Sequence, residues 1–285
     1  MTSPQQGRLV RMLMPMHMPI GRRNMAYEFD GKKYETASSH QKEWGAQLIA
    51  ELALRGNERV LDLGCGDGAL TLHLAELLPR GEVVGIDASQ GMIDAARPKE
   101  RDNLRFVLMD IDDLAFDGRF DLIFSNAALH WVKDHGRLLR NAHRALAAGG
   151  RLRFNFAGDG NCAHFFKVVR EAMALPEFSA AFAGFAWPWS MPAVDEYTAL
   201  IESSGLFAAR VWGENADRHF PNEAAMIQWI DQPSLVPFLP QLTAERDRAS
   251  FRALVVRRMI EETKEGDGRC FETFRRINVL AIKKP

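Results

Sequence analysis

The chain has 285 residues, of which 47% are hydrophobic, so it can bury a large core in one domain or in one domain with an insert. The 36 Lys and Arg residues nearly balance the 37 Asp and Glu residues, giving a net charge of -1. This balance does not favour nucleic acid or an anionic membrane as a partner. The cysteines Cys65, Cys162 and Cys270 lie far apart, which predicts neither a disulfide framework nor a metal site and favours a reducing cytoplasm.

The first residues contain methionines that alternate with other residues from Met12 to Met18. Pro15 and Pro19 interrupt this stretch, whereas a signal peptide needs an unbroken apolar run and a small-residue cleavage site. The pattern predicts that residues 1–24 are a disordered leader upstream of a start at Met25. No apolar run in the sequence is long enough to span a bilayer, so no membrane partner is expected.

From residue 41 the pattern alternates between helix and strand. Helical spacing covers residues 41–54, 69–78, 90–96 and 135–148, and the last of these helices is predicted to stop at Gly149 and Gly150. Short β-rich runs cover residues 59–63, 82–86, 104–109, 120–124 and 151–156. Five alternations with short connections predict an α/β fold with a doubly wound, Rossmann-like, mostly parallel sheet. Ligands of such sheets bind beyond the carboxyl ends of the strands.

After residue 160 the chain is richer in Trp, Phe and Pro. Helical stretches are predicted near 163–174, 193–204, 223–230 and 244–262, with strands at 208–212 and 277–282. We therefore predict a cofactor-binding core over 25–160 and a mainly helical substrate cap over 161–270. The cap includes one core strand near 208–214, and residues 271–285 form the closing strand of the core sheet.

The first predicted strand leads into a loop that contains Gly64, Cys65, Gly66 and Gly68. Glycines let a ligand approach the main chain closely, and the following helix presents free N–H groups at its start. This loop alone also fits the looser dinucleotide fingerprint. Asp62 lies two residues before the first glycine, where its carboxylate is predicted to face a cationic ammonium or sulfonium group and would repel a pyrophosphate.

Two further acidic residues end the next strands. Asp87 follows Gly68 by 19 residues, a distance suited to binding a ribose diol, and Asp110 can accept a hydrogen bond from an adenine amino group. Each also has a simpler interpretation, since Asp87 can cap the next helix and Asp110 can open a turn. Three acidic residues at strand ends beside a glycine loop favour the cofactor site.

These motifs resemble the class I S-adenosylmethionine-dependent methyltransferases. Residues 82–92 match the second motif of that family, 106–110 the third and 120–131 the fourth. The resemblance implies a seven-stranded sheet, a ribose contact by Asp87 and packing of Met92 on the adenine. The residues expected to bind S-adenosylmethionine are Tyr34, Asp62, Gly64, Cys65, Gly66, Gly68, Asp87, Ala88, Met92, Asp110, Ile111, Asn126 and Ala127.

A narrower resemblance is to the branch of the trans-aconitate and insect juvenile-hormone-acid methyltransferases. It rests on residues 126–132, on Tyr34 followed seven residues later by Gln41, on 224–238 and on the closing segment 275–283. In that branch the methyl acceptor is a small-molecule carboxylate. The trans-aconitate enzymes have Gln where this chain has His130, and this difference bears on the substrate.

The expected reaction is O-methylation of a carboxylate by in-line methyl transfer. A carboxylate needs hydrogen-bond donors rather than a base, and Gln41, His130 and Trp131 are the candidates. If the acceptor is instead a hydroxyl, phenol, amine or carbon acid, His130 is the natural general base. Each of the three also has a purely structural interpretation. Trp187, Trp189, Trp229 and Phe238 either line an apolar lid over the acceptor or pack the cap against the sheet.

Other functions are less favoured. Enzymes that methylate exocyclic amines of DNA or RNA usually carry Asn or Asp followed by two prolines and an aromatic residue, whereas Ala127 and Ala128 follow Asn126 here. A non-catalytic cofactor-binding subunit and an NAD-dependent dehydrogenase remain as alternatives. The expected partner is a small-molecule acceptor, and the sequence predicts no oligomeric state.

Overall fold

A seven-stranded sheet forms the centre of the computed structural model, which describes residues 27–31 and 39–285. The strands are β1 (Arg59–Leu63), β2 (Glu82–Asp87), β3 (Leu104–Leu108), β4 (Phe120–Asn126), β5 (Leu146–Ala157), β6 (Phe207–Asn215), β7 (Arg218–Phe220), β8 (Cys270–Glu272) and β9 (Arg275–Lys283). The large sheet has the order β3-β2-β1-β4-β5-β9-β6, and β7 pairs with β8 in a separate two-stranded sheet.

The α-helices are α1 (Ser39–Ala50), α2 (Ala69–Leu77), α3 (Gln90–Ala96), α4 (His135–Ala145), α5 (Ala163–Met173), α6 (Pro176–Ser179), α7 (Val194–Ser204), α8 (Glu223–Trp229) and α9 (Glu245–Thr263). Single turns of 3-10 helix cover Arg97–Lys99, Ile111–Asp113, Leu129–Trp131 and Leu239–Gln241, and a π-helical turn covers Ile230–Ser234. Among the residues described, no helix is both long and apolar enough to cross a membrane.

The first five strands are parallel, and β9 runs antiparallel between β5 and β6. Strand β1 lies inside the sheet, with Val60 opposite Val83 and Leu122, and its side chains are buried on both faces because helices pack on both faces of the sheet. One face of the sheet packs against α4 and α7, and the other against α1, α2 and α3. The α/β fold with a doubly wound, mostly parallel sheet is thus confirmed.

One predicted boundary is wrong. The helix predicted over 135–148 ends at Ala145, and Leu146 already pairs with Phe120 at the start of β5. The ladder then breaks and resumes where Arg151 pairs with Leu122, so residues 147–150 form a loop within the strand. Gly149 has a φ of +70° in that loop. Glycine is favoured in this left-handed conformation both here and at helix ends, so the sequence alone does not distinguish the two cases.

A third cluster of apolar side chains lies between residues 162 and 274, separate from the two that cover the sheet. It joins α5, α8, α9 and the β7–β8 pair through aromatic contacts such as Phe165 with Trp229, whose ring centroids are 5.8 Å apart. This cluster faces the carboxyl ends of β4 and β5, where Trp131 packs against Trp189. The division into core, cap and closing strand stays a proposal, and the predicted leader 1–24 lies outside the described residues.

Candidate active site

The glycine loop after β1 is fixed to the end of β2 by backbone hydrogen bonds. The amides of Gly64 and Cys65 both donate to the carbonyl of Ile86 at 2.9 Å. The amide of Gly66 donates to Oδ2 of Asp87, also at 2.9 Å. The loop and the acidic end of β2 therefore form one rigid unit.

Two of these glycines are required by close packing. Gly64 has a φ of +71°, and a Cβ on it would lie 2.2 Å from the Cβ of Ala128. Gly68 has a φ of +78°, and a Cβ there would lie 2.6 Å from Cζ of Phe106. Side chains at either position would be strained and would also clash. The loop can therefore pass beneath the residues that follow β4 only with glycine at these positions.

Asp87 fixes the loop and lines the cavity, but the next helix is capped by Ser89 rather than by Asp87. Its Oδ1 accepts a hydrogen bond from the amide of Ser89 at 2.9 Å, its Oδ2 holds Gly66, and its side chain lines the cavity described below. Burial raises the pKa of this carboxyl, and the amides that donate to it oppose the shift. Asp87 is thus placed both to fix the loop and to meet a ligand.

Asp110 resembles Asp87 in combining two roles. Its Oδ1 accepts from the amide of Asp112 at 2.9 Å and so caps the turn Ile111–Asp113. Asp110 and Ile111 also line the cavity.

Asp62 differs from its predicted orientation. It is only 2% exposed, does not line the cavity and accepts a hydrogen bond at 2.7 Å from the hydroxyl of Thr71 in α2. Side chains alternate along a strand, so Asp62 shares the α2 face with Val60 instead of pointing out of the strand end. Burial, with a smaller effect from nearby Asp87, raises the pKa of Asp62 to about 7.

A single cavity of about 420 Å³ extends from the glycine loop to β9, a volume within the range of small-molecule sites. At one end it is lined by the predicted cofactor residues Gly64, Gly66, Asp87, Ala88, Met92, Asp110, Ile111, Asn126 and Ala127. At the other end it is lined by Asn161, Cys162, Phe165, Phe166, Trp187, Trp189, Met191, Trp229, Phe274 and Arg276.

His130 and Trp131 line the middle of this cavity, in the 3-10 turn that follows β4. The turn is held because the amide of Ser190 donates to the carbonyl of His130 at 2.8 Å. Trp131 packs between Trp189 and Tyr27, with both ring centroids 5.4 Å away. Ala127, just before the turn, has a φ of +58°, and its amide donates to the carbonyl of Asn155 at 2.7 Å.

The pKa of His130 is lowered to about 3 by burial, with smaller effects from the charges of Arg276 and His135. Its Nδ1 is buried and has no hydrogen-bond partner in the described part of the chain. His130 is therefore a neutral imidazole at physiological pH, which can accept a hydrogen bond at one nitrogen and donate one at the other.

A short segment near the start of the chain covers the cavity. Tyr27 and Phe29 line it, and Glu28 between them is bound to the start of α3. One carboxylate oxygen of Glu28 accepts from the amide of Gly91 at 2.6 Å and from the hydroxyl of Ser89 at 3.0 Å. Carboxylates are stabilised at helix starts, so this contact holds the two aromatic rings over the site.

Some predicted site residues do not line the cavity. Cys65 and Gly68 shape the loop from beneath, and Phe238 is fully buried in the aromatic cluster, 5.7 Å from Trp187. Tyr34 lies outside the described residues, and so does the side chain of Gln41, although its backbone belongs to α1.

Sequence reasoning missed Arg276, a buried residue of β9 that lines the cavity. Its Nε donates to Oδ1 of Asn155 at 2.7 Å. The sequence shows only two adjacent arginines at the start of a predicted strand, Arg275 and Arg276. Their alternation along the strand is the available signal, since it places one of them on each face.

The residues at the glycine-loop end fit S-adenosylmethionine. Two carboxylates, Asp87 and Asp110, line this end and suit a ribose diol and an amino group. Met92 and Ile111 supply apolar surface beside them for a purine ring.

A family model described as a methyltransferase domain matches residues 61–154, which span β1 to β5. Trans-aconitate 2-methyltransferase of Acidovorax ebreus is 30% identical over 268 residues, which are 91% of this chain and all of that protein. Trans-aconitate 2-methyltransferase of Deinococcus radiodurans is 32% identical over 83% of this chain and 91% of that protein. The chain belongs to the class I S-adenosylmethionine-dependent methyltransferases. Within that family it falls in the branch of the trans-aconitate 2-methyltransferases.

Solved structures share the fold of this methyltransferase. YcgJ of Bacillus subtilis has a TM-score of 0.56 at 18% identity and covers 86% of this chain and 99% of that one. Phosphoethanolamine N-methyltransferase 2 of Haemonchus contortus, solved with S-adenosylhomocysteine, also has a TM-score of 0.56, at 17% identity over 90% of this chain and 57% of that one. The enzyme is thus a transferase whose cofactor is S-adenosylmethionine.

Proposed function

We propose that this methyltransferase O-methylates a carboxylate of a small molecule. The observation that carries the proposal is the state of His130, which lines the middle of the cavity with a pKa of about 3. A group with so low a pKa is a poor general base near neutral pH. An acceptor that is already ionised needs no proton removed by His130, and a carboxylate meets that requirement near neutral pH.

The relatives support the same acceptor class. Both trans-aconitate 2-methyltransferases are named for a carboxylate substrate, and they match this chain over most of its length. The alternative, transfer to carbon, nitrogen or a hydroxyl oxygen with His130 as general base, needs a higher pKa than burial allows here.

The bound cofactor supplies an electrophilic methyl group on its sulfonium. It would transfer this methyl group to one oxygen of the acceptor carboxylate and would leave as S-adenosylhomocysteine. No proton is transferred. The protein therefore has to align the acceptor and exclude water.

Different residues that line the cavity serve to align the acceptor and to exclude water. Asp87 and Asp110, at the ends of β2 and β3, and Met92 in α3 would hold the cofactor, and the rings of Tyr27 and Phe29 would exclude water above it. In the proposed site, neutral His130 and the indole of Trp131 donate hydrogen bonds to the acceptor carboxylate, with Gln41 as a third donor.

An acceptor screen tests the proposal. The purified enzyme is incubated with S-adenosylmethionine labelled in its methyl group and with matched acceptors that carry a carboxylate, a phenol, an alcohol or an amine. We expect labelled product from carboxylates alone and loss of the label as methanol in mild base, because methyl esters hydrolyse there. Base-stable products, or products from phenols or amines only, would overturn it.

A pH profile separates the two roles of His130. With a carboxylate acceptor and no general base, kcat/KM should be nearly flat between about pH 6 and pH 9. His130→Asn should lower kcat/KM by about two- to tenfold at every pH, since one neutral hydrogen bond is lost. An ascending limb near pH 6.5 in the wild type that disappears in His130→Asn would support the general-base alternative instead.

We also propose that the enzyme works in a reducing cytoplasm. Its three cysteines are all free thiols and all buried, and an oxidising compartment is where disulfides form and persist. Secretion of the native protein into the medium or periplasm, seen by fractionation, would contradict this.

A further inference from the structure

The guanidinium of Arg276 forms part of the wall at the β9 end of the cavity. The residue is 5% exposed, and its charged group lies 5.0 Å from the ring centroid of Trp44. Its Nε donates to Oδ1 of Asn155 at 2.7 Å, and its Nη2 donates to the main-chain carbonyl of Asn155 at 3.3 Å. A buried arginine held on two sides in this way is fixed in position.

A network behind Asn155 fixes its orientation in turn. Nδ2 of Asn155 donates to Oδ1 of Asn278 at 2.9 Å, and Nδ2 of Asn278 donates to Oε2 of Glu214 at the same distance. With its amide nitrogen committed to Asn278, Asn155 presents its oxygen to Arg276. The position of the guanidinium is therefore set by three strands, β5, β6 and β9.

The main-chain carbonyl of Asn155 links Arg276 to the middle of the cavity. This oxygen accepts from Nη2 of Arg276 at 3.3 Å and from the amide of Ala127 at 2.7 Å. Ala127 lies just before the turn that carries His130 and Trp131. A carboxylate bound to the guanidinium thus lies beside the residues proposed to face the methyl group.

Aromatic side chains cover the rest of this end of the cavity. Phe166 stacks on Trp189 with centroids 5.3 Å apart, and Trp229 packs edge-on against Phe274 at 5.7 Å. All four residues line the cavity. A large rigid apolar wall of this kind favours an apolar ligand surface over a polar one.

The positive charges around the cavity are few. Among the lining residues that the structure describes, Arg276 and Lys133 carry them. Nζ of Lys133 donates to the carbonyl of Trp187 at 2.6 Å, and desolvation lowers the pKa of this amine. Along the part of the wall that the structure describes, a second or third carboxylate on the acceptor would face aromatic rings, and burying a charge without a partner is costly.

From this arrangement we infer that Arg276 binds the carboxylate of the acceptor and that the acceptor is a monocarboxylate with an apolar body lying on the aromatic wall. The inference rests on the proposed function and narrows it. It also separates this enzyme from the tricarboxylate for which its relatives are named.

An acceptor series tests the apolar body. Straight-chain monocarboxylates of increasing length are compared with trans-aconitate in wild-type enzyme at saturating S-adenosylmethionine. We expect kcat/KM to rise by about fourfold per added methylene until the wall is covered, with trans-aconitate below the longer members. A better kcat/KM for trans-aconitate than for every monocarboxylate would overturn the inference alone. Failure of all carboxylates to give a base-labile ester would overturn the proposed function and the inference with it.

Variants at β9 test the arginine. Arg276→Gln should raise the KM for a monocarboxylate by about 10- to 100-fold, because a charge-assisted hydrogen bond is lost, while kcat changes less and the Kd of S-adenosylhomocysteine stays within about twofold. Arg276→Lys should recover part of the loss, since it keeps the charge without the two-pronged geometry.

Arg275→Gln is the matched control. Arg275 precedes Arg276 on the same strand but does not line the cavity, and its guanidinium is paired with Asp217. We expect the control to keep the wild-type KM. Equal KM values in Arg276→Gln and wild type, or an equal rise in Arg275→Gln, would overturn the assignment. Retained binding of S-adenosylhomocysteine shows that each variant is folded.

Discussion

Buried carboxylates beside the glycine loop make the charge of this region depend on pH. Burial raises the pKa of both Asp62 and Asp87, and a nearby carboxylate adds to each rise, that of Asp87 at Asp62 and that of Glu28 at Asp87. The thiol of Cys65 lies among them, and its pKa is raised too. Without ligand, folding therefore concentrates acidic groups where their ionised forms are unfavourable.

Asp62 makes the free energy of unfolding depend on pH in a direction that can be measured. Its pKa is about 7 in the folded protein against 3.8 in the reference state, so the folded state binds the proton more tightly. That stabilisation is fully present below about pH 3.8 and is lost as the pH rises through about 7. The buried imidazoles of His130 and His135 act in the opposite direction over this range, because burial lowers their pKa values and their cost of burial is lost as the pH rises. The contribution of Asp62 is therefore measured against Asp62→Asn: from pH 5.5 to pH 8, the free energy of unfolding of the ligand-free wild type relative to that of Asp62→Asn should fall by about 2 kcal/mol.

Urea denaturation at the two pH values measures the difference. Asp121→Asn is the control, because its pairing with Arg59 lowers the pKa of Asp121 and places its own pH dependence below pH 4. This control should keep the pH dependence of the wild type between pH 5.5 and pH 8. If Asp62→Asn also shows the same pH dependence as the wild type, the assigned protonation of Asp62 is wrong.

Some residues of the site can be predicted from the sequence, and others cannot. Asp87, Asp110 and His130 could be predicted because each lies at or after the end of a strand, and local sequence patterns indicate where strands end. The inward orientation of Asp62 depends on which face of β1 meets Thr71, and that contact is set by packing. Arg276 joins the cavity only because β9 inserts beside β5, more than a hundred residues away in sequence.

At the scale of elements, the glycine loop depends on two separate constraints. Gly64 needs a left-handed backbone, and it also lies where a methyl group would overlap Ala128. Gly149 in the loop within β5 shares only the first constraint, because its φ is +70° but a Cβ added there would have no atom within 4 Å. Comparing Gly149 with Gly64 therefore separates the cost of backbone strain from the cost of steric overlap.

Alanine substitutions use this difference. Gly149→Ala should lower the free energy of unfolding by about 1–2 kcal/mol, which is the strain of the left-handed backbone. Gly64→Ala should lower it by about 2–5 kcal/mol, because overpacking adds to the same strain. Urea denaturation measures both, and S-adenosylhomocysteine should bind Gly149→Ala but not Gly64→Ala. Equal effects of the two substitutions would show that the approach to Ala128 is relaxed in solution.

The elements themselves divide into those that local patterns predict and those that they do not. Strands β1 to β4 are predicted to within a residue or two, because central parallel strands are short apolar runs bounded by turns. The break in β5 and the β7–β8 pair are missed. Their strand pairs are set by contacts between distant segments, such as His219 with Phe271, and leave no periodic pattern in either segment.

At the scale of the whole molecule, the cavity lies where the sheet meets the aromatic cluster. Its walls come from the ends of β1 to β5, from β9 and from residues 27–29, so a ligand in it contacts segments from nearly the whole chain. A ligand that binds only the folded state stabilises that state by mass action. Cofactor binding should therefore stabilise the fold as a whole.

Thermal denaturation measures this effect. S-adenosylhomocysteine at 100 times its Kd should stabilise the enzyme by about 2.7 kcal/mol, and the Tm should rise by roughly 5–10 °C. NAD at the same concentration should leave the Tm unchanged, since the chain belongs to a family whose cofactor is S-adenosylmethionine. A rise with NAD and none with S-adenosylhomocysteine would contradict the cofactor assignment of this site.

The buried guanidinium of Arg276 has a consequence for turnover. A carboxylic acid enters the proposed site with one negative charge, and the methyl ester that leaves it has none. The attraction that recruits the acid is therefore absent from the ester, so the reaction itself weakens the hold on its product. The ester should therefore inhibit the enzyme less strongly than the acid from which it forms. The loss of one negative charge on a single oxygen makes the enzyme bind its substrate more tightly than its product.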